Sequence, residues 1–331
     1  MTYLTLEDWT NLFVPKLNND ILFVEEMKQT KKIHNILLEI ITLIFPNKSS
    51  SENKLKQNIL YASMIYYHKY ILFNSLPHSK ISEIEKVLIC ASCIFLSFKA
   101  IVKQINIDEL SGKLLPYLNN ISVNKKYLLE DINIIIRKYE SDILYVIGFN
   151  MGIDNPYDLL QYLRYYLKII VVENNTIKEI IQLVNKFIND SLLFPLYLYY
   201  SSYDIIVSCI LLAKESNNYN FINIDCFIQM YQLQIDNNKI PQCAKHISKI
   251  TNFLIKNTNA IDNNVNEMNN NNNQQIPQDN IVNAININTP QIPQADIVNE
   301  FNNIPQEIPQ VNNIENEIDF NAIANIHTNQ I

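Results

Sequence analysis

The chain of 331 residues contains very little glycine and almost no arginine. Only Gly112, Gly148 and Gly152 are present, and neither a GxGxxG pattern nor a P-loop occurs. Scarce glycine also argues against a hairpin-rich β fold, whose tight turns often require positive φ. The only arginines are Arg137 and Arg164. The composition therefore disfavours both a phosphate-cradling loop and an all-β protein.

Basic residues are missing from the C-terminal part of the chain. The net charge is −7, but no Lys or Arg follows Lys256, whereas nine acidic residues lie between Asp262 and Asp319. Residues 1–256 therefore hold 26 basic against 24 acidic side chains. Neither part is basic enough to indicate a nucleic-acid-binding surface, so no direct nucleic-acid partner is expected.

Secretory and membrane patterns are missing as well. The N-terminus lacks a basic segment followed by an apolar one. The best membrane candidate, residues 193–212, contains Pro195 and Asp204, so it is predicted to form a buried helix pair and no membrane partner is expected. Five cysteines, an odd number, indicate a reducing compartment.

No catalytic or metal-binding pattern stands out. Cys90 and Cys93 lie in an apolar helical segment without a second ligand pair, so buried thiols are predicted. The histidines are scattered, and His68, next to Lys69, is predicted to lie on the surface. No cofactor, metal site or catalytic residue is expected, and an enzyme is the least favoured interpretation.

Helical periodicity runs from Ile33 to about residue 258, with breaks at Pro46, Pro77 and Asn155-Pro156. It predicts five helices in residues 33–150, near 33–46, 56–74, 82–102, 107–115 and 126–147. It predicts five more in residues 151–258, near 157–171, 176–193, 200–214, 222–233 and 240–256. The expected fold class is all-α, with two tandem five-helix units.

Two segments flank this helical region. Residues 1–32 are predicted to be an arm of mixed character that Trp9, Leu12, Phe13, Leu22 and Phe23 could anchor on the domain. Residues 259–331 are rich in Asn and repeat an Ile-Pro-Gln unit. Spaced prolines and few aromatic residues predict a disordered low-complexity tail. A docking segment built on the Ile-Pro-Gln repeat is the alternative.

Three motifs in the first unit resemble those of the cyclin family. YASMIYYHKYILFNSL in the second helix keeps the family spacing from Tyr66 to Ser75, although Ala62 lies one residue early. ASCIFLSFK, which ends at Lys99, is similar to the third-helix motif. Glu140 and the IGFNM that follows are similar to the fifth-helix motif. Each motif is weak alone, but together they keep the family's order.

The second unit resembles transcription-type cyclins such as cyclins L, K, C or H. Asn155-Pro156-Tyr157 is similar to the linker signature of cyclin H, and FINDSL at 187–192 favours cyclins L or K. The Met-Arg-Ala-Ile-Leu motif with which cell-cycle cyclins recruit substrates is absent from the first helix. Ala-Ile-Val also follows Lys99, where the family usually has an acidic pair.

The resemblance implies a regulatory subunit with cyclin boxes at 33–150 and 151–258. In the family, the Lys donates to kinase backbone carbonyls, and the Glu accepts from backbone amides and orients the Lys. The implied kinase-binding residues are Lys99, Glu140, Ala100, Leu144, Phe149 and Met151. An internal salt bridge is the competing expectation for the charged pair, and core packing is the competing expectation for Leu144, Phe149 and Met151.

The implied partner is a cyclin-dependent kinase catalytic subunit, with an assembly factor or the transcription machinery as further partners. The implied process is RNA polymerase II transcription or RNA processing, in a nuclear protein that could also occur in the cytoplasm. Two other interpretations stay open. One is a general transcription factor of the related two-box fold, which would need a basic face. The other is a helical scaffold that binds no kinase.

Overall fold

The protein is all-α over the residues that its computed structural model describes. These are residue 16 and residues 18–46, 50–74, 78–101, 105–122, 125–170 and 172–271, and no β-strand occurs within them. The α-helices in these ranges are α1 (Asp20–Ile44), α2 (Ser50–Phe73), α3 (Glu83–Ile101), α4 (Ile107–Ile121), α5 (Leu129–Val146), α6 (Leu160–Ile169), α7 (Asn174–Ser191), α8 (Ser202–Asn217), α9 (Ile224–Met230) and α10 (Ile240–Asn271).

One difference from the periodicity concerns α1, which begins at Asp20 and not near Ile33. The Asn19 side chain caps the helix by accepting from the backbone amides of the first turn. Phe23 and Met27 then extend the apolar face of the helix towards its N-terminus, and both are buried. Residues 20–32, predicted as part of an arm, are therefore the first half of a helix. Trp9, Leu12 and Phe13 lie outside the described residues.

Helices α4 and α10 extend beyond their predicted ends. The predicted end of α4 was near residue 115, but the helix passes through Pro116 to Ile121. Leu114 and Leu118 lie on either side of this proline and are fully buried, so core packing offsets the proline's missing hydrogen bond. The last helix, α10, extends to Asn271, beyond the change of composition near residue 259. Residues 272–331 lie outside the described ranges, so their disorder stays a prediction.

The first half of the molecule packs around α3, which contacts α1, α2, α4 and α5. Between Lys86 and Phe98 every residue of α3 is buried, as expected for a helix that is apolar on all sides. Cys90 and Cys93 lie in this stretch. Both are fully buried, which confirms the prediction of buried thiols, and burial raises the pKa of each.

The second half repeats this arrangement around its own third helix, α8, which contacts α7, α9 and α10. Ser201 and Asp204 form a capping box at its start. The segment 193–212, predicted as a buried helix pair, contains a short 3₁₀ turn (Leu196–Leu198) followed by the first part of α8. Within the described residues, no helix has both the length and the hydropathy to cross a membrane.

The two halves share side chains at their junction. Phe23 and Met27 of α1, and Tyr61 and Ile65 of α2, pack into the core of the second half, although both helices mainly build the first. The Phe23 ring lies 5.5 Å from that of Phe194 and 5.8 Å from that of Phe253, between centroids. Helices α1 and α2 therefore hold the halves together.

A buried ionic group lies at the same junction. The Glu26 carboxylate accepts from Lys16 at 2.8 Å and lies 3.5 Å from His78 Nε2. Burial by itself would raise the pKa of Glu26. The hydrogen bonds and positive charges of His78 and Lys16 outweigh burial, and they lower that pKa to about 2. The carboxylate therefore stays ionised in the interface between α1 and the turn at residues 78–80.

His68 is also part of this junction, so its predicted surface position is wrong. Its side chain is only 1% exposed and its ring stacks on that of Tyr197, from the second half. Tyr197 donates its hydroxyl to the Met64 carbonyl at 3.0 Å, so it accepts from His68 Nδ1. Burial lowers the pKa of His68 to about 3, so the imidazole is neutral at physiological pH.

Candidate partner-binding site

Lys99, at the end of α3, and Glu140, in the interior of α5, are in direct contact. Lys99 is in the last turn of α3, and Glu140 lies on the face of α5 that packs against α3. Lys99 Nζ is 2.5 Å from Glu140 Oε1. The side chains are 34% and 11% exposed, respectively. The two charged residues singled out in the sequence thus form one ion pair at the edge of the first core.

Neighbouring aromatic residues hold this pair in position. The Lys99 ammonium lies 4.3 Å from the centre of the Phe95 ring, one helical turn earlier in α3. Tyr139, immediately before Glu140, donates its hydroxyl to Glu85 at 2.9 Å and anchors α5 to the start of α3. Burial and the Glu85 carboxylate raise the pKa of Tyr139, so the phenol stays protonated. Lys99 and Glu140 therefore lie on a rigid two-helix support.

The chain leaves α5 through an unusual turn that exposes an aromatic ring. Gly148 and Phe149 both have left-handed backbone conformations, with φ of 65° and 59°. The amide of Phe149 donates to the Leu144 carbonyl at 2.8 Å and closes the turn. Phe149 is 69% exposed. A phenylalanine in this conformation costs about 1–2 kcal/mol, and such strain often occurs where a side chain binds a partner.

The remaining implied binding residues surround the pair in different ways. Ala100 is exposed at the end of α3. Leu144 and Met151 are half-buried against the first core, so for these two the competing expectation of core packing is partly met. The Met151 carbonyl accepts from the Tyr66 hydroxyl at 3.0 Å, which gives the tyrosine of the second-helix motif a structural role.

Two exposed apolar residues near the C-terminal ends of α3 and α5 were not predicted from the sequence as part of the site. Ile101, in the last turn of α3, is 38% exposed, and Tyr145, beside Leu144 in α5, is 41% exposed. The sequence did give an indication of Ile101, because Ala-Ile-Val follows Lys99 where the cyclin family usually has an acidic pair. With Phe149, these residues place exposed apolar side chains at the C-terminal ends of α3 and α5.

The two second-half motifs contact each other and hold the halves in place. Asn155 caps the turn at Pro156–Leu159 and donates to Asn58 of α2 at 2.9 Å. Tyr157 donates its hydroxyl to Asn189, in the FINDSL segment, at 2.5 Å. The Tyr157 ring also packs edge-on against Tyr61 of α2, with centroids 5.8 Å apart. These motif residues therefore position the second half relative to the first.

Asp190 of the FINDSL segment has an unfavourable environment that gives a testable pH dependence. It accepts from the Thr251 hydroxyl at 2.8 Å, but burial raises its pKa from 3.8 to about 6. The folded protein therefore keeps this proton to higher pH than the unfolded chain does. As a result, this carboxyl lowers stability progressively as pH rises from about 4 to about 6.

Replacing Asp190 by asparagine should remove this loss of stability. The carboxamide that replaces the carboxyl can still accept from Thr251, so we expect Asp190→Asn to raise the free energy of unfolding by about 1–3 kcal/mol above pH 6. Little gain is expected at pH 4. Urea unfolding at pH 4 and pH 7.5 measures both, with Asp225→Asn, an exposed aspartate in α9, as the control. An equal gain at the two pH values would contradict the assigned pKa.

Within the described residues, no three His, Cys, Asp or Glu side chains come close enough together to hold a metal ion. His246, in the second half of the molecule, is half-buried and forms a hydrogen bond with the Tyr200 hydroxyl at 2.9 Å. Burial lowers the pKa of His246 to about 4, so its imidazole is neutral at physiological pH.

Solved structures include distant likenesses of this chain. Neither a protein-family model nor a curated protein matches the sequence. One chain of the yeast TFIIK (Kin28/Ccl1/Tfb3) complex aligns at 15% identity and a TM-score of 0.45, covering 67% of this chain and 86% of that chain. One chain of the CAK complex from Chaetomium thermophilum bound to ATP-γ-S aligns at 14% identity and a TM-score of 0.45, covering 67% and 63%. A structural likeness at this level is no evidence that this chain shares an activity with those proteins.

Proposed function

We propose that the protein is a cyclin-like regulatory subunit that binds and activates a cyclin-dependent protein kinase. The single observation that carries this proposal is the Lys99–Glu140 pair, which joins the last turn of α3 to α5. The exposed Phe149 follows the end of α5. These residues match the motifs that bind the kinase in the cyclin family. By the same resemblance, we place the protein in the nucleus, in RNA polymerase II transcription or RNA processing.

The geometry leaves hydrogen-bonding capacity for a partner. An ammonium group has three donors and a carboxylate has two acceptor oxygens. The contact between Lys99 and Glu140 uses one oxygen, Oε1. The pair can therefore present further donors and an acceptor to a partner's backbone, and charge-assisted bonds of this kind are stronger than neutral ones. Phe149, Ile101 and Ala100 would supply apolar contact around them.

The subunit itself would contribute no catalytic residue. Its binding would hold the kinase helix that carries the active-site glutamate where that glutamate pairs with the ATP-binding lysine. Because the subunit binds the active kinase conformation better than the inactive one, it shifts the population towards the active state. The proposed partner is thus a kinase catalytic subunit, joined by an assembly factor or the transcription machinery.

Affinity capture from extract of the protein's own cells tests this proposal. Wild type should retain a protein kinase that phosphorylates substrate in the eluate. Lys99→Glu should bind that kinase at least about 30-fold more weakly, because breaking a desolvated charge contact costs about 2–5 kcal/mol. The matched control is Lys32→Glu, which breaks the Lys32–Glu83 pair at the opposite end of α3 and should retain the kinase.

Other outcomes of the capture would refute the assignment. If wild type retains transcription or scaffold proteins but no kinase activity, the protein is a two-box transcription factor or a scaffold. If Lys99→Glu and Lys32→Glu retain the kinase equally, the kinase binds at another surface. Identifying the eluted proteins by mass spectrometry separates these outcomes.

A further inference from the structure

A groove in the second half of the molecule lies apart from the Lys99–Glu140 pair. It has a volume of about 510 Å³ and is lined by side chains from three segments, within residues 153–162, 202–203 and 230–233. The Ser202 hydroxyl donates to the Asp154 carbonyl at 2.6 Å and joins two of these segments. The wall of the groove is therefore held in place by the fold, as is usual for binding sites.

Tyrosine rings form one side of this groove. Tyr162 of α6 and Tyr231, just after α9, have centroids 4.9 Å apart. Tyr231 in turn packs on the buried Phe227 at 5.3 Å, so its ring is supported from behind. Tyr162 is 38% exposed, and its neighbours Tyr165 and Ile169 on α6 are half exposed. The groove thus has two packed tyrosine rings in its lining, with further exposed apolar side chains on the same helix.

The charged residues that line the groove are both acidic. Asp154 and Asp158 belong to the lining, which contains no Lys or Arg. Asp158 lies 3.6 Å from Lys54 of α2, in a pair whose side chains are both more than half exposed. Asp154 forms no ion pair within the described part of the chain. The groove therefore combines negative charge with the negative faces of aromatic rings.

We propose that this groove binds a partner protein through an arginine side chain. A guanidinium group can stack on a tyrosine face while its N–H groups reach a carboxylate, so the planar Arg suits this pairing better than Lys. Here Tyr162 and Tyr231 would receive its face, and Asp154 would receive its hydrogen bonds. This site is independent of the proposed kinase contact.

The terminal segments of the chain itself cannot supply this side chain. Residues 1–15 and 272–331 lie outside the described ranges, and neither segment contains Lys or Arg. The second segment, which carries the Ile-Pro-Gln repeat, is also acidic, so its charge opposes entry into an acidic groove. Charge complementarity therefore points to a basic segment from another protein.

The test is an NMR titration of the full-length, isotope-labelled protein with N-acetyl-arginine N-methylamide. We expect saturable shifts of the amides of Tyr162 and Tyr231. The neutral isostere N-acetyl-citrulline N-methylamide should give no saturable shifts. Asp154→Asn and Tyr162→Ala should each weaken arginine binding at least 5-fold. The matched controls Asp225→Asn and Tyr165→Ala, which change residues outside the lining, should leave it unchanged.

Three results would overturn the proposal. Shifts scattered over the surface, or equal shifts with the citrulline probe, would show that the groove does not recognise the guanidinium. Unchanged binding by Asp154→Asn and Tyr162→Ala would move the site elsewhere. Groove shifts that depend on protein concentration without any probe would identify a second copy of this chain as the occupant. None of these results bears on the kinase capture, so the two proposals fail separately.

Discussion

Exchanging the two charges in a Lys99→Glu/Glu140→Lys double variant should restore stability but not kinase binding. Each single reversal places two like charges at a 2.5 Å contact. Glu140 is largely buried but Lys99 is about a third exposed, so we expect a loss of stability smaller than the ~3–5 kcal/mol of a fully buried pair. The double variant rebuilds an ion pair between α3 and α5, so its unfolding free energy should return close to that of wild type. The charges that face the partner, however, are exchanged, so the donor and acceptor positions no longer match the partner's backbone groups.

The two measurements together separate an interface from an internal salt bridge. Urea unfolding gives the coupling energy between the two positions in a double-mutant cycle. Titrating each variant into the captured kinase gives activation, which should stay at least about 30-fold below wild type for the double variant. If the double variant recovers both stability and activation, the pair only supports the fold, and the kinase-binding assignment of Lys99 and Glu140 is wrong.

Phe23→Ala should destabilise the protein by about 3–5 kcal/mol, which is typical for removing a buried phenylalanine side chain. Phe23 is only 2% exposed and packs against Phe194 and Phe253 of the second half. The loss should therefore weaken the attachment of α1 to the second core as well as the fold as a whole. Chemical denaturation followed by circular dichroism measures the change.

The control for this variant is Phe221→Ala, whose ring is 38% exposed. It should cost about 0.5 kcal/mol or less, as surface substitutions usually do. If the two variants cost the same, the N-terminal part of α1 does not pack on the second half. Residues 20–32 would then be held by contacts with the first core alone.

The helical architecture could be predicted from the sequence because several helices have a strong apolar pattern. In α3 the apolar run leaves almost no polar face, and in α5 apolar residues recur at helical spacing. The start of α1 escaped prediction for a physical reason. Its apolar face is divided, with Phe23 and Met27 in one core and Ile33 in the other, so the pattern resembles a weaker, mixed segment.

The ion pair at the candidate site could also be predicted from the sequence, because both charged residues occur at the edges of apolar helices. The exposure of Phe149 was not, because it depends on the left-handed turn at Gly148. The burial of His68 depends on Tyr197, which is 129 residues away. The tyrosine groove likewise needs three separate segments to meet. Contacts of this range have no local sequence pattern.

The placement of Phe23 has a consequence for synthesis of the protein on the ribosome. Its ring packs against Phe253, so the N-terminal helix cannot complete its contacts until the last helix has emerged. At about 5–20 residues per second, some 230 residues of translation take about 10–50 s. Throughout that interval the apolar side of the new helix is available to chaperones. We therefore expect the nascent chain to bind a chaperone through residues 20–30 before its C-terminal half is made.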